Sequence, residues 1–204
     1  MKLIFGTTNK RKVEDLQNII DEMGLDIEVI SMQDIGWDRG EIDENGSTIE
    51  ENSLIKAQAI YSFCKDHKIQ YPIMTDDAGL FVDALNGEPG IYTARYADDE
   101  LALNSDLPKY QCVVKLLRKL NGERNRNAEY RCCVTSMMPD GKYHQEVGES
   151  EGTIAEEIIG ELKKPWFYSV FVLNGTNVAF SDLKGDELNN TYRYDALKRS
   201  LKRF

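Results

Sequence analysis

The stretch TDDAGLFVDALNGEPGIYTARY, residues 75–96, decides how the chain is read. An apolar segment, Pro72-Ile73-Met74, runs into two adjacent carboxylates, Asp76 and Asp77, and Gly79 follows. Leu80-Phe81-Val82, a third acid at Asp83 and the turn Asn86-Gly87-Glu88-Pro89-Gly90 lead on to Arg95. Acids at a strand end, loosened by glycine, suit a divalent metal. Two carboxylates about 4 Å apart repel by roughly 4 kcal/mol at an effective dielectric near 20, so positive charge belongs beside them. Successive strand side chains face opposite ways. Either the strand ends here and both acids turn inward, or one binds metal and the other does a different job. For Asp-Asp alone, a solvated acidic turn is the plainer reading.

Working outward, Lys2-Leu3-Ile4-Phe5 reads as a short buried strand broken by Gly6-Thr7-Thr8-Asn9. The spacing of Val13, Leu16, Ile19, Ile20 and Met23 predicts a helix from about Lys10 to Met23, stopped by Gly24. A strand, a glycine loop and a helix start make a natural phosphate cradle. Lys10, Arg11 and Lys12 sit where the helix dipole disfavours cations, which makes sense if an anionic ligand compensates; a solvated basic turn accounts for them equally well. The loop lacks P-loop spacing.

Ile27–Ile30 is the next expected strand, and residues 32–47 form an acidic, glycine-bearing loop. Thr48 and Glu51 form a capping box for a helix to about Lys65, with Leu54, Ala57 and Tyr61 on one face and Asn52 beside Lys56. Beyond the central stretch come a polar loop at Asp98–Asp106 and a helix at about Pro108–Leu120. Two extended runs follow, Ala128–Met138 and Lys142–Ile154, about a hairpin at Pro139-Asp140-Gly141. Trp166–Leu173 reads as an aromatic strand, Asn174-Gly175 as a turn with Val178-Ala179-Phe180 returning, and a last helix starts near Asp195 with Leu197 and Leu201 inward. The expected fold is mixed α/β, with helices on a long twisted sheet and the Asp140 hairpin extending it as a second lobe. Ligands of open α/β sheets bind beyond the carboxyl ends of strands. The Thr7–Lys12 loop and the Asp76-Asp77 pair both follow strands and can face one cleft.

Composition narrows the function. The 204 residues are 41% hydrophobic and 29% charged, enough for one domain with a real core. A net charge of −10 argues against non-specific nucleic-acid binding. No window approaches the roughly 18 apolar residues of a membrane span, and the N-terminus is too short for a signal-peptide core. Four cysteines without metal-ligand spacing read as reduced core thiols, and the expected location is cytoplasmic. With only His67 and His144, histidine-based nucleophilic catalysis and histidine metal sites are disfavoured.

TTNKRK at 7–12, ENGSTIEENSLIKA at 44–57 and DDAGLFVDALNGEPGIYTARYA at 76–97, in that order, resemble the inosine triphosphate pyrophosphatase family. The first hundred residues match closely and the remainder loosely. The resemblance implies a single domain over 1–204, an elongated α/β fold of two lobes with a central cleft, and a homodimer. It also implies Mg²⁺-dependent cleavage of non-standard purine nucleoside triphosphates, such as inosine and xanthosine triphosphate, to monophosphate and pyrophosphate. By that resemblance Thr7, Thr8, Asn9 and Lys12 form the triphosphate loop and Lys56 is a second phosphate-binding lysine. Glu44 and Asp77 bind metal, Asp77 activates water, and Asp76 supports it.

The C-terminal region departs from the family pattern. Ala78 stands where the family has a serine, so this part of the substrate site lacks a hydroxyl. Trp166-Phe167-Tyr168-Ser169-Val170 replaces an aromatic-Gly-Tyr-Asp-Pro segment, with neither the aspartate nor the proline, and Thr191-Tyr192-Arg193 replaces Ser-His-Arg. In the family these pieces hold the base. Trp166, Phe167, Tyr168, Tyr192 and Arg193 are therefore the expected base-side contacts, although each aromatic can equally be a core residue. The resemblance thus implies a retained phosphate chemistry and an altered base preference. The alternative is a catalytically weakened nucleotide-binding sensor of the same fold, and a purely structural domain leaves the clustered charges unexplained.

Overall fold

The computed structural model describes residues 1–104, 108, 110–162 and 165–204. Their contacts divide the chain into two units, one of Met1–Asp77, Cys132–Gly148 and Arg193–Phe204, the other of Ala78–Arg131 and Glu149–Tyr192.

The first unit begins with β1 (Lys2–Phe5), α1 (Lys10–Glu22), β2 (Glu28–Ser31), α2 (Ile49–Asp66) and the start of β3 (Ile73–Val82). β1 pairs in parallel with β2, Leu3 opposite Val29, and with β3, Phe5 opposite Met74. Parallel strands covered on both faces read as unbroken apolar runs, and Leu3, Ile4 and Phe5 are all fully buried. Gly24 ends α1 at a φ of +67°, a left-handed conformation that favours glycine. The buried face of α2 runs through Ile49, Ser53, Ala57, Ile60 and Cys64, so the expected Leu54-Ala57-Tyr61 stripe is rotated, with Leu54 and Tyr61 at its margin. The loop at 32–47 is anchored. Ile35, Trp37 and Ile42 pack against the core formed by Ile4, Ile30, Ile60 and Ile73.

The second unit holds β4 (Pro89–Gly90), α3 (Asp98–Leu103), α4 (Gln111–Lys119), β7 (Phe171–Leu173) and α5 (Asp186–Asn189). β4 pairs antiparallel with the end of β3. β5 (Asn127–Met137), β6 (Tyr143–Ile154) and α6 (Tyr192–Leu201) have residues in both units. Strand order in the seven-stranded sheet is β2-β1-β3-β5-β6-β7, with β4 on β3. This is the expected mixed sheet flanked by helices.

Four expectations change. β3 does not stop at the acids but continues to Val82. The Asp140 turn clusters with the first unit instead of building a second lobe. Asp98–Leu103 is helical where a loop was expected: Asp98, Asp99 and Glu100 occupy its first turn, where carboxylates favour the helix dipole. Asp99 and Glu100 also pair with Lys115 and Arg118 of α4. Residues 105–107 at the end of that stretch, and Lys109 in the expected Pro108–Leu120 helix, lie outside the described residues. Trp166–Ser169 is a 3-10 turn, and strand begins only at Phe171. Packing overrides β-propensity here. Tyr168 and Phe171 turn their rings onto Tyr130, whose other neighbours are Phe180 and Tyr192.

The four cysteines are free and buried, as expected. Among the described residues no helix is long and apolar enough to cross a membrane.

Candidate active site

The site assembles within the first unit from four short pieces of chain. The first is the turn between β1 and α1. Thr7 Oγ1 accepts from the Asn9 amide at 3.1 Å, and Asn9 Oδ1 caps α1 by accepting from the Arg11 amide at 3.0 Å. The side chains of Thr7 and Asn9 thus shape the loop, while Thr8 is exposed. The first turn of α1 carries no acid, so its cations meet the helix dipole without local compensation, and Lys12 finds its counter-charge on Asp76.

The second piece is the acid doublet. Because β3 continues as strand, Asp76 and Asp77 point to opposite faces. Asp76 is only 2% exposed, and Asp77 is half-buried. Lys12 Nζ lies 3.1 and 3.3 Å from the two Asp76 oxygens, and Arg193 Nε donates to Oδ2 at 2.8 Å. Burial alone would raise the Asp76 pKa. The charges of Lys12, Arg193 and Lys56 outweigh it and hold the carboxyl well below the usual range. The two acids therefore have different surroundings: Asp76 is a buried anionic hub for cations, and Asp77 is half-buried, with its Oδ2 sealed from solvent.

The third piece is α2 with the loop before it. Thr48 caps α2 by accepting from the Glu51 amide at 3.1 Å, as expected. The Glu51 carboxylate also accepts from the Ser47 amide and hydroxyl at 2.6 and 2.7 Å. Oδ1 of the buried Asn52 side chain accepts from the Gly46 amide at 2.8 Å and fixes the loop just after Glu44. Lys56 then donates to the Asp76 carbonyl at 2.9 Å and pairs with Glu44 at 3.1 Å.

The fourth piece is Arg193, at the start of α6. It was expected on the base side, and here it neutralises Asp76 and lies 4.0 Å from Asp15. No local pattern could reveal a partner 117 residues away.

Thr7, Thr8, Asn9, Lys12, Glu44, Lys56, Asp76, Asp77 and Arg193 thus share the first unit. Ala78, Trp166, Phe167, Tyr168 and Tyr192 belong to the second. There Phe167 and Tyr192 are buried. The ring of Tyr192 stacks on Tyr130, and its hydroxyl lies 2.6 Å from that of Tyr168. Trp166 and Tyr168 are partly exposed, and Trp166 meets Tyr110 edge-on.

Lys12 and Arg193 pair with Asp76, and Lys56 pairs with Glu44. Glu44 and Asp77 offer the carboxylate oxygens Mg²⁺ takes, and that ion commonly uses one or two carboxylates and completes its shell with water and phosphate. Among the described residues no group of three His, Cys, Asp or Glu can hold a metal.

The model of the Ham1 family matches residues 3–203. A dITP/XTP pyrophosphatase of Bacillus subtilis is 32% identical over 96% of this chain and 93% of its own length. One of Bacillus licheniformis is 34% identical over 97% and 95%. The solved Ham1 protein of Staphylococcus aureus superposes with a TM-score of 0.80 at 27% identity, covering 100% of this chain and 99% of that one. With its acid doublet, glycine loop and paired lysines contained in a match over nearly its whole length, the chain belongs to the Ham1 family.

Proposed function

We propose that the chain is a nucleoside triphosphate pyrophosphatase. It cuts non-standard purine nucleoside triphosphates, such as those of inosine and xanthosine, between the α and β phosphates. The products are a monophosphate and pyrophosphate. The observation that carries this is the grouping of Lys12 and Lys56 around the Asp76-Asp77 doublet. The names of the relatives supply the substrate class.

In this reading the Thr7–Asn9 loop and the start of α1 receive the phosphate tail, and Lys12 and Lys56 neutralise it. Glu44 leaves Lys56 as phosphate oxygen takes its place. Asp77 orients water and takes its proton as the water oxygen bonds to phosphorus, while the α–β bridging bond breaks and its electron pair leaves with pyrophosphate. Mg²⁺, held by Glu44 and Asp77, would supply Lewis-acid polarisation of the phosphate oxygens. Asp76 stays ionised and holds Lys12 and Arg193 in place.

On the base side, Ser169 stands in place of the family aspartate and Tyr192 in place of its histidine. A site built to hydrogen-bond a base discriminates far better than an apolar one, so the base preference should be broader than that of a strict inosine enzyme. Part-exposed Trp166 and Tyr168 are the candidates for stacking, with Phe167 and Tyr192 supporting them from the core. A homodimer acting in the cytoplasm, without nucleic-acid or membrane partners, completes the proposal.

The test is pyrophosphate release from a panel of nucleoside triphosphates with Mg²⁺, in the unaltered chain and in Asp77→Asn. Release by the first and loss in the second supports the assignment. The rewritten base-side segments at 166–170 and 191–193 carry a second reading, a nucleotide-binding sensor with weak turnover. Tight nucleotide binding without release from any panel member would favour it.

A further inference from the structure

Three hydroxyls are sealed from solvent just before the acid doublet. Ser53 of α2, Thr75 of β3 and Thr135 of β5 are all fully buried in the first unit. Ser53 Oγ lies 2.8 Å from Thr135 Oγ1, 3.2 Å from Thr75 Oγ1 and 3.3 Å from the Thr75 carbonyl. Thr75 Oγ1 donates to the Ser53 carbonyl at 2.7 Å. Gln145 Nε2 donates to Thr135 Oγ1 at 3.0 Å and to the Glu50 carbonyl at 2.9 Å.

Each hydroxyl has one proton to give. That of Thr75 goes to the Ser53 carbonyl, which can only accept. The Ser53 proton has the Thr75 carbonyl, Thr75 Oγ1 and Thr135 Oγ1 within reach, and the Ser53–Thr135 bond can run in either direction. Gln145 donates into the cluster at Thr135 and Thr75 closes it on the Ser53 carbonyl. A fully satisfied buried network of this kind fixes geometry.

Its members sit beside the working groups. Thr75 directly precedes Asp76. Ser53 is three residues before Lys56 on α2, close to one face of the helix. The Thr75 methyl lies beneath Gly6, where an added Cβ would come within 2.6 Å of Thr75 Cγ2. One side chain therefore touches the glycine loop and the lysine-bearing helix while its backbone leads into the acids.

We propose that Thr75 and Ser53 are positioning residues of the phosphate site, locking the rotation of α2 so that the Lys56 ammonium meets both the Asp76 carbonyl and the incoming polyphosphate. This rests on the reading that Lys56 binds phosphate. The probe is inorganic triphosphate with Mg²⁺, titrated calorimetrically into the unaltered chain, Thr75→Val, Lys56→Met and the double variant. Thr75→Val should weaken binding about tenfold, Thr75→Ser should restore it, and the loss should vanish in the Lys56→Met background because the two act as one unit. An equal loss in both backgrounds would overturn the proposal. If Thr75→Val lacks the near-ultraviolet dichroism of a packed core, Ser53→Ala carries the same cycle and is judged by the same two outcomes. If the unaltered chain binds triphosphate but releases no pyrophosphate from any nucleotide, the proposed activity fails while the cycle still decides positioning. Absence of triphosphate binding by the unaltered chain would overturn the positioning role itself.

Discussion

Replacing Asp76 by asparagine keeps the outline of the side chain and removes its charge. The carboxylate holds Arg193 Nε at 2.8 Å and Lys12 Nζ at 3.1 Å, and is itself 2% exposed. Removing one member of a buried ion pair costs about 3–5 kcal/mol, because the remaining charge is left uncompensated. The Lys12 side chain is 40% exposed, so water screens it and its share is nearer the ~0–1 kcal/mol of a surface pair. Arg193, 12% exposed, carries the larger share. The asparagine oxygen can still accept from Arg193, which puts the expected loss near the lower end, about 3 kcal/mol. At about 2–4 °C per kcal/mol for a chain of this size, the thermal midpoint should fall by about 6–12 °C. The pH dependence follows from the same pair. The folded pKa of Asp76 is depressed, so its stabilisation is fully present above the unfolded value of about 3.9 and is lost as pH falls through the folded one. Unfolding from about pH 3 to pH 7 should show a constant gap between the two chains above about pH 5, narrowing in acid. Inorganic triphosphate, which can neutralise the two stranded cations, should raise the midpoint more in the variant than in the unaltered chain. A loss under about 0.5 kcal/mol, as expected of an ordinary surface substitution, would refute the buried hub.

Asp77→Asn should abolish pyrophosphate release with little change in unfolding midpoint, since the side chain is half-buried; near-normal rates would mean another group activates water. Gly6→Ala would place a Cβ 2.6 Å from Thr75 Cγ2 and 2.8 Å from Ile60 Cδ1. It should cost about 1–3 kcal/mol in urea unfolding, and an unchanged midpoint would contradict that packing. Tyr192→Phe removes the hydroxyl 2.6 Å from Tyr168. It should cost about 1 kcal/mol and leave the ranking of nucleotide substrates unaltered; a changed ranking would place that hydroxyl on the base.

The parts legible in the sequence were those set by neighbouring residues. The strand at Lys2–Phe5, the helix stopped by Gly24 and the Thr48 cap follow from periodicity and local hydrogen bonding, and all three are present. The acids of Asp98–Leu103 looked like loop residues because their partners, Lys115 and Arg118, come more than ten positions later. Trp166–Ser169 looked like strand because aromatics favour sheets, while a buried cluster around Tyr130 dictates a tight turn. In the site, the resemblance marked Lys12, Lys56 and the acids. The buried setting of Asp76 depends on Arg193, 117 residues away, and Ser53 passed unnoticed because a hydroxyl on the inner face of a helix leaves no mark in an apolar pattern.

Product analysis by phosphorus NMR, with Mg²⁺ and inosine, xanthosine, adenosine or guanosine triphosphate, tests the central claim most directly. The account predicts monophosphate and pyrophosphate in equal amounts, fastest from the non-standard purines. Orthophosphate and diphosphate as products, or intact nucleotide throughout, would contradict it.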